Sequence, residues 1–132
     1  MIMTGATRII VSPQPNAETA RFWEAANEGV LLIKSCMDCG QSHYYPRAFC
    51  PFCFSERTEW QPVAGKGTIY SYSIARRAAV PYALTYVSLE EGPTIMTNIV
   101  DADFDAIRIG QNVRLVFKTS ENGQQVPMFT LA

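Results

Sequence analysis

The chain has little with which to do chemistry of its own. A single histidine stands among 132 residues, so acid–base catalysis by imidazole has one carrier, His43. The sequence contains no Gly-x-Ser-x-Gly elbow, no Gly-rich dinucleotide or phosphate loop and no His-Glu-x-x-His pair. No neighbouring nucleophile is marked for His43, and no helical or strand spacing pairs two carboxylates. Charge is sparse as well: 17% of the residues are charged and the formal net charge is -1. Proteins that hold nucleic acid by its phosphates rely on a dense basic surface, which this composition does not supply. Residues 34–77 do carry six basic against three acidic side chains, and residues 78–132 reverse the ratio with three against six. A mixed solvated surface accounts for that asymmetry, with room for a small anion site.

Long apolar runs are missing too, so nothing reaches the length needed to span a bilayer. The opening MIMTGATRIIVSPQP has only a short apolar stretch and no Ala-x-Ala-like cleavage site behind it. The expectation is a cytoplasmic protein, whose thiols stay reduced and form no disulfide framework.

What the chain does have is concentrated. All four cysteines fall within CMDCGQSHYYPRAFCPFC, as Cys36-x-x-Cys39 and Cys50-x-x-Cys53. In each pair a tight turn brings two thiolates to one point with backbone N–H groups facing the sulfurs. Two such turns give the tetrahedral four-sulfur set of a structural zinc site; a rubredoxin-like iron site and a redox or disulfide pair are the alternatives. Gly40 follows the first pair, where a knuckle needs positive φ; Phe54 takes the matching place after the second. With four thiols present His43 has no coordination position to fill and reads as a surface or packing residue. Metal would brace this loop and catalyse nothing, since so short a segment has too little apolar material to offset its own ordering entropy.

Before the cysteines, PNAETARFWEAANEG reads as a helix capped by Asn16 and ended by Gly29, with Phe22, Trp23, Ala26 and Val30 on one apolar side. That side is expected to pack on the protein itself or to dock on a partner. VLLIKS then reads as a strand or extended entry. Beyond the cysteines, GTIYSYSI, ALTYVSL, TIMTNIV, NVRLVFK and QVPMFTL are short β-branched and aromatic runs separated by Gly, Pro and Asp clusters. Five strands without a long helix between them predict an antiparallel OB-type barrel, whose closure protects strand edges. In TIYSYSI, Thr68, Tyr70, Tyr72 and Ile74 would share one face, and Ile69, Ser71 and Ser73 the other. DADFDAIRIG lacks calcium-loop spacing and reads as a surface turn running into a short helical connection. The expected fold is therefore all-β dominated, with an N-terminal helical arm and entry (1–33), a rubredoxin-like zinc ribbon (34–60) and a five-stranded OB barrel (61–132).

The order of FWEAANEGVLLIKSCMDCG, YYPRAFCPFC, GKGTIYSYSI, PYALTYVSLEEGPTIMTNIV, IRIGQNVRLVF and VPMF resembles the zinc-ribbon plus OB-fold family filed as domain of unknown function thirty-five, small acyl-CoA-associated proteins, over about residues 20–129. The resemblance implies zinc on Cys36, Cys39, Cys50 and Cys53. It also implies a place beside a thiolase-like or condensing enzyme, or a hotdog-fold hydratase, that itself holds the reactive groups. No catalytic residue is carried over to this chain. Two features depart from the family pattern: Phe54 replaces a glycine, and the RRAAVPYA connection is short. Within that connection Arg76 and Arg77 are candidate contacts for a CoA phosphate, because adjacent guanidiniums offer several charge-assisted donors.

The leading expectation is thus a non-catalytic accessory or bridging subunit of an acyl-CoA or acyl-transfer complex, with acyl-CoA at the complex interface. Phe22, Trp23, Tyr44 and Tyr45 are its candidate aromatic anchors. A single-stranded nucleic-acid-binding OB module and an independent acyl-CoA-processing enzyme are the alternatives.

Overall fold

The computed structural model describes residues 8–132; residues 1–7, on which the leader question partly falls, lie outside the described residues. Among the described residues no helix is long and apolar enough to cross a membrane. An extended stretch comes first, its Ile10 carbonyl accepting from the Glu121 N–H at 3.0 Å and its Ser12 hydroxyl meeting that of Ser120 at 3.1 Å. Helix α1 (Ala20–Asn27) follows. Asn16 does nucleate it: its side-chain oxygen accepts from the N–H groups of Glu18 (2.9 Å) and Thr19 (3.1 Å), while the Thr19 hydroxyl accepts from Asn16 N–H at 3.0 Å. That reciprocal pair closes a turn first, so regular helix starts later than the sequence pattern suggests. Gly29, at φ 82, ends the helix as expected.

The cysteine-bearing module is a small three-stranded antiparallel sheet. Strand β1 (Leu32–Cys36) lies between β2 (Ser42–His43) and β3 (Thr58–Pro62), with Lys34 opposite His43 on one side and Trp60 on the other. The two outer strands carry no strong alternation, and the sequence pattern alone did not mark them.

The remaining five strands close a barrel: β4 (Lys66–Ala75), β5 (Tyr82–Leu89), β6 (Thr94–Ile99), β7 (Asn112–Thr119) and β8 (Gln125–Leu131). Their order around it is β4-β5-β6-β8-β7, with all pairings antiparallel except the short β6–β8 contact at Ile99 and Phe129. The five apolar runs of the sequence each became one of these strands, and DADFDAIRIG became a turn with a single 3-10 segment, Phe104–Ala106. The face assignment within β4 needs correction. A bulge between Ile69 and Ser71 offsets the pairing with β5 by one residue, so Ile69 is buried, Tyr70 is thrown outward, and Tyr72 and Ile74 return to pack on the core. Inserting one residue reverses every side chain beyond it.

One apolar cluster joins the parts. Phe22 and Ala25 of α1, Leu31, Leu32 and Ile33 at the base of the ribbon, and barrel residues such as Ile69, Val87, Ile99 and Phe129 belong to the same buried core. Polar contacts fasten the seam: Gln124 Nε2 donates to the Trp23 carbonyl (2.9 Å) and Gln125 N–H to Asn27 Oδ1 (2.9 Å). Phe22 therefore serves the chain's own core and does not present itself to a partner.

Gly67 pairs with Leu89 across the β4–β5 ladder, and a Cβ there would lie 2.5 Å from the Ser88 carbonyl oxygen and 2.7 Å from Val87 Cγ1. Backbone cannot yield as a side chain can, so Gly67→Ala is expected to cost about 2 kcal/mol or more in urea unfolding. A midpoint equal to wild type would contradict this account of barrel closure.

Candidate metal centre and neighbouring surfaces

The two cysteine turns are near copies of each other. In the first, Cys36 N–H donates to the Gln41 carbonyl (2.9 Å) and Gly40 N–H to the Cys36 carbonyl (3.0 Å). In the second, Cys50 N–H reaches Ser55 (2.9 Å) and Phe54 N–H reaches Cys50 (2.8 Å). Backbone N–H groups aim at sulfur in both: Cys39 N–H lies 3.5 Å from Cys36 Sγ and Phe52 N–H 3.4 Å from Cys50 Sγ. A bond from Met37 N–H to the Arg57 carbonyl (2.7 Å) and the Arg57–Asp38 ion pair (2.6 Å) clasp one turn to the other.

These turns bring the four Sγ atoms within 4.8 Å of one another, Cys36 to Cys53 and Cys39 to Cys50 each at 3.6 Å. Four sulfurs at about 2.3 Å from a central Zn²⁺ are spaced in nearly this way. As free thiols they titrate unequally. The Cys39 N–H bond holds Cys36 down at about 6. The Ser55 N–H also favours a Cys53 thiolate, yet local desolvation and the adjoining thiols push that group up to about 12. One thiolate forms readily and then opposes the next, so a divalent cation is needed to keep all four ionised. The chemistry of this donor set fits zinc, with every tetrahedral position taken by sulfur.

His43 does not reach into that set. Its side chain is buried on the same small sheet, opposite Lys34, and both ring nitrogens lack hydrogen-bond partners. Burial lowers its pKa first, and the nearby Lys34 and Arg47 charges add to the effect. It is a neutral packing residue.

Several surfaces adjoin the ribbon and barrel. Trp23 and Tyr44 line an open cleft of about 180 Å³ together with Met96, Asn98, Pro127 and Met128. Tyr45 is partly exposed and its hydroxyl accepts from Trp23 Nε1 at 2.8 Å. On the outer barrel wall Tyr70, Leu84, Tyr86 and Met96 are exposed, on or beside strands β5 and β6, which carry no charged residue. The arginine pair lies in the turn after β4: Arg76 is held by Asp105 at 3.0 Å, whereas Arg77 makes no ion pair among the described residues. The arginines and the cysteines thus belong to different modules.

The sequence singled out Phe54 for its missing glycine but not the other side chains that flank the sulfur cluster. Met37, Phe49, Phe52 and Phe54 are all exposed, and each adjoins a cysteine. Phe54 moreover adopts φ 64, the left-handed conformation that Gly40 adopts at φ 76 in the other turn. For a residue with a Cβ this costs about 1 kcal/mol. An apolar residue beside a cysteine looks alike in sequence whether it is buried or exposed, so only the missing glycine hinted at this.

A zinc ribbon leading through a short helix-supported core into an OB barrel is a defined class of protein, and the comparisons place the chain within it. Residues 23–59 match the model of the ChsH2 rubredoxin-like zinc ribbon domain, and residues 60–118 that of the ChsH2 C-terminal OB-fold domain. A DUF35 domain-containing scaffold protein of Methanothermobacter thermautotrophicus is 36% identical over 116 residues, covering 81% of this chain and 87% of that one. The benzoylsuccinyl-CoA thiolase subunit BbsA of Geobacter metallireducens is 31% identical, covering 61% and 56% respectively. Among solved structures, a chain of an Ltp2-ChsH2(DUF35) aldolase superposes with a TM-score of 0.80 at 31% identity, over 91% of this chain and 98% of that chain. The protein belongs to the DUF35 family of zinc-ribbon, OB-fold scaffold proteins.

Two outcomes follow from the site. Cys39→Ser or Cys50→Ser is expected to abolish stoichiometric zinc retention and to open the ribbon to protease; near-native proteolysis of a metal-free variant would contradict a structural role. Because the folded state keeps His43 neutral, its contribution to stability is complete above the ordinary imidazole range near 6.5 and declines as pH falls through it. Urea midpoints measured from pH 7.5 to 5.5 should therefore fall more steeply for wild type than for His43→Phe, and parallel slopes would refute the assignment.

Proposed function

We propose that this chain is a non-catalytic accessory subunit of a cytoplasmic acyl-CoA or acyl-transfer complex. It would order a thiolase-like enzyme, or another acyl-CoA enzyme, and that enzyme's substrate route. The observation that carries the reading is the closed four-sulfur cluster. A tetrahedral metal ligated by Cys36, Cys39, Cys50 and Cys53 offers substrate no coordination position, so the centre stiffens a platform and the bond-making groups belong to a partner. The names of the relatives support this: one is a scaffold, one a subunit of a CoA-ester thiolase, and one a component of an aldolase assembly. The subunit's contribution is placement, holding acyl carrier, acceptor and the partner's reactive group in register. Trp23 and Tyr44, which line the cleft, and Tyr45, hydrogen-bonded to Trp23, are the aromatic groups suited to that route. A nucleic-acid role gains no support: the barrel face that exposes Tyr70 and Tyr86 has no basic residue on β5 or β6 to meet phosphates.

Purifying the untagged native assembly should yield this chain with a stoichiometric acyl-CoA enzyme, and turnover should require both. Full turnover by the chain alone, or its isolation as a lone monomer under gentle conditions, would overturn the reading. Within the assembly, Arg77 with Arg76 is the pair assigned to a CoA phosphate. R76A/R77A is expected to weaken acyl-CoA binding about ten-fold and to flatten its salt dependence; unchanged affinity and salt slope would remove that assignment.

A further inference from the structure

The ribbon tip combines two features that folding alone does not explain. Phe54 is 78% exposed yet occupies a left-handed backbone position that its counterpart in the first turn gives to Gly40. A side chain this exposed contributes little packing in return for the strain, whereas glycine would relieve it without loss of contacts. Along the chain beside Cys53, Cys50 and Cys36, Phe52 is 54% exposed and Phe49 and Met37 are 51% each. All four are chain neighbours of cysteines whose sulfurs converge on one point, so they project from one braced segment. We infer that this tip is the docking surface for the enzyme partner, inserting Phe54 and its neighbours into an apolar groove on that protein. The inference rests on the accessory-subunit reading and names the surface through which it works.

Size and charge select the occupant. At about 200 Å² per fully exposed aromatic or methionine side chain, the four present roughly 450 Å² of apolar surface. Two tips mated to each other would bury about 900 Å², short of the roughly 1,200 Å² at which stable interfaces begin. A second copy is therefore too small a partner, whereas a groove on a larger protein can take the tip together with its flanks. Within residues 36–57 two acidic groups (Asp38, Glu56) balance two basic ones (Arg47, Arg57), and Arg57 is already tied to Asp38 at 2.6 Å. No basic excess remains, and four thiolates around one Zn²⁺ add two negative charges, so the tip suits an apolar protein groove without an acidic lining. An anionic membrane or a nucleic acid would call for a basic excess.

The test exploits opposite signs. Phe54→Gly, in zinc-loaded protein, is expected to raise the urea midpoint while lowering retention of the enzyme subunit in the native assembly about ten-fold. A photoreactive benzoylphenylalanine placed at position 54 should attach to that same subunit. Lower stability of F54G would remove the strain argument and the proposal with it. Wild-type retention by F54G, attachment of the probe only to a second copy, or sedimentation with phosphatidylcholine–phosphatidylserine vesicles would also overturn it. If the partner is retained but the probe at 54 does not reach it, the tip is wrong and the accessory reading stands. If the probe attaches stoichiometrically to a protein without acyl-CoA chemistry, the tip's docking role stands and the accessory reading falls.

Discussion

Four thiolates cannot share a few ångströms unless a cation holds them, and the ribbon depends on that constraint. The ribbon is a sheet of three short strands, Leu32–Cys36, Ser42–His43 and Thr58–Pro62, and beyond Ile33 it has only a few buried apolar side chains. So little burial cannot offset the backbone entropy lost in ordering that segment. A structural zinc ion supplies on the order of 10 kcal/mol or more at neutral pH, delivered at the point where both turns meet. The base of the ribbon, Leu31 to Ile33, instead belongs to the apolar core it shares with α1 and the barrel. The module is thus anchored by hydrophobic burial at one end and by metal–sulfur bonds at the other. Such a rigid projection can carry exposed apolar groups without collapsing onto them.

The barrel has a different economy. Its strands are stabilised by burial of Ile69, Val87, Ile95, Ile99 and Phe129 and by closure through the β4–β7 and β6–β8 contacts. Closure is thinnest where β6 and β8 meet at a single residue pair, Ile99 and Phe129. Helix α1 packs against β8, and the cleft lined by Trp23, Tyr44 and Met128 opens beside that contact. A scaffold that must touch another protein without unfolding has use for this arrangement, because its working surfaces sit on parts held from two independent directions.

Much of this was legible in the residues. The paired Cys-x-x-Cys spacing specified the metal cluster because thiolate geometry leaves few other uses for two such turns. The five strands were legible because β-branched and aromatic runs alternate with Gly, Pro and Asp breakers. Long-range consequences were not. The bulge at Tyr70 leaves no mark in the pattern TIYSYSI and yet exchanges which side chains face inward. Strands β2 and β3 exist because β1 recruits them, and neither has a periodicity of its own. Phe22 and Tyr70 are both aromatic in strongly structured segments; one is buried and the other exposed for reasons that reside in the packing partner. His43 likewise became a buried, unpaired imidazole through its cross-strand position opposite Lys34.

Native mass spectrometry of the gently purified assembly tests in one spectrum both the metal-braced ribbon and its role in another polypeptide's company. The prediction is a complex in which each copy of this chain carries a single zinc ion and an enzyme subunit, and from which chelation of the zinc releases the enzyme. A metal-free chain still bound to its partner, or a zinc-loaded chain bound to none, would contradict it.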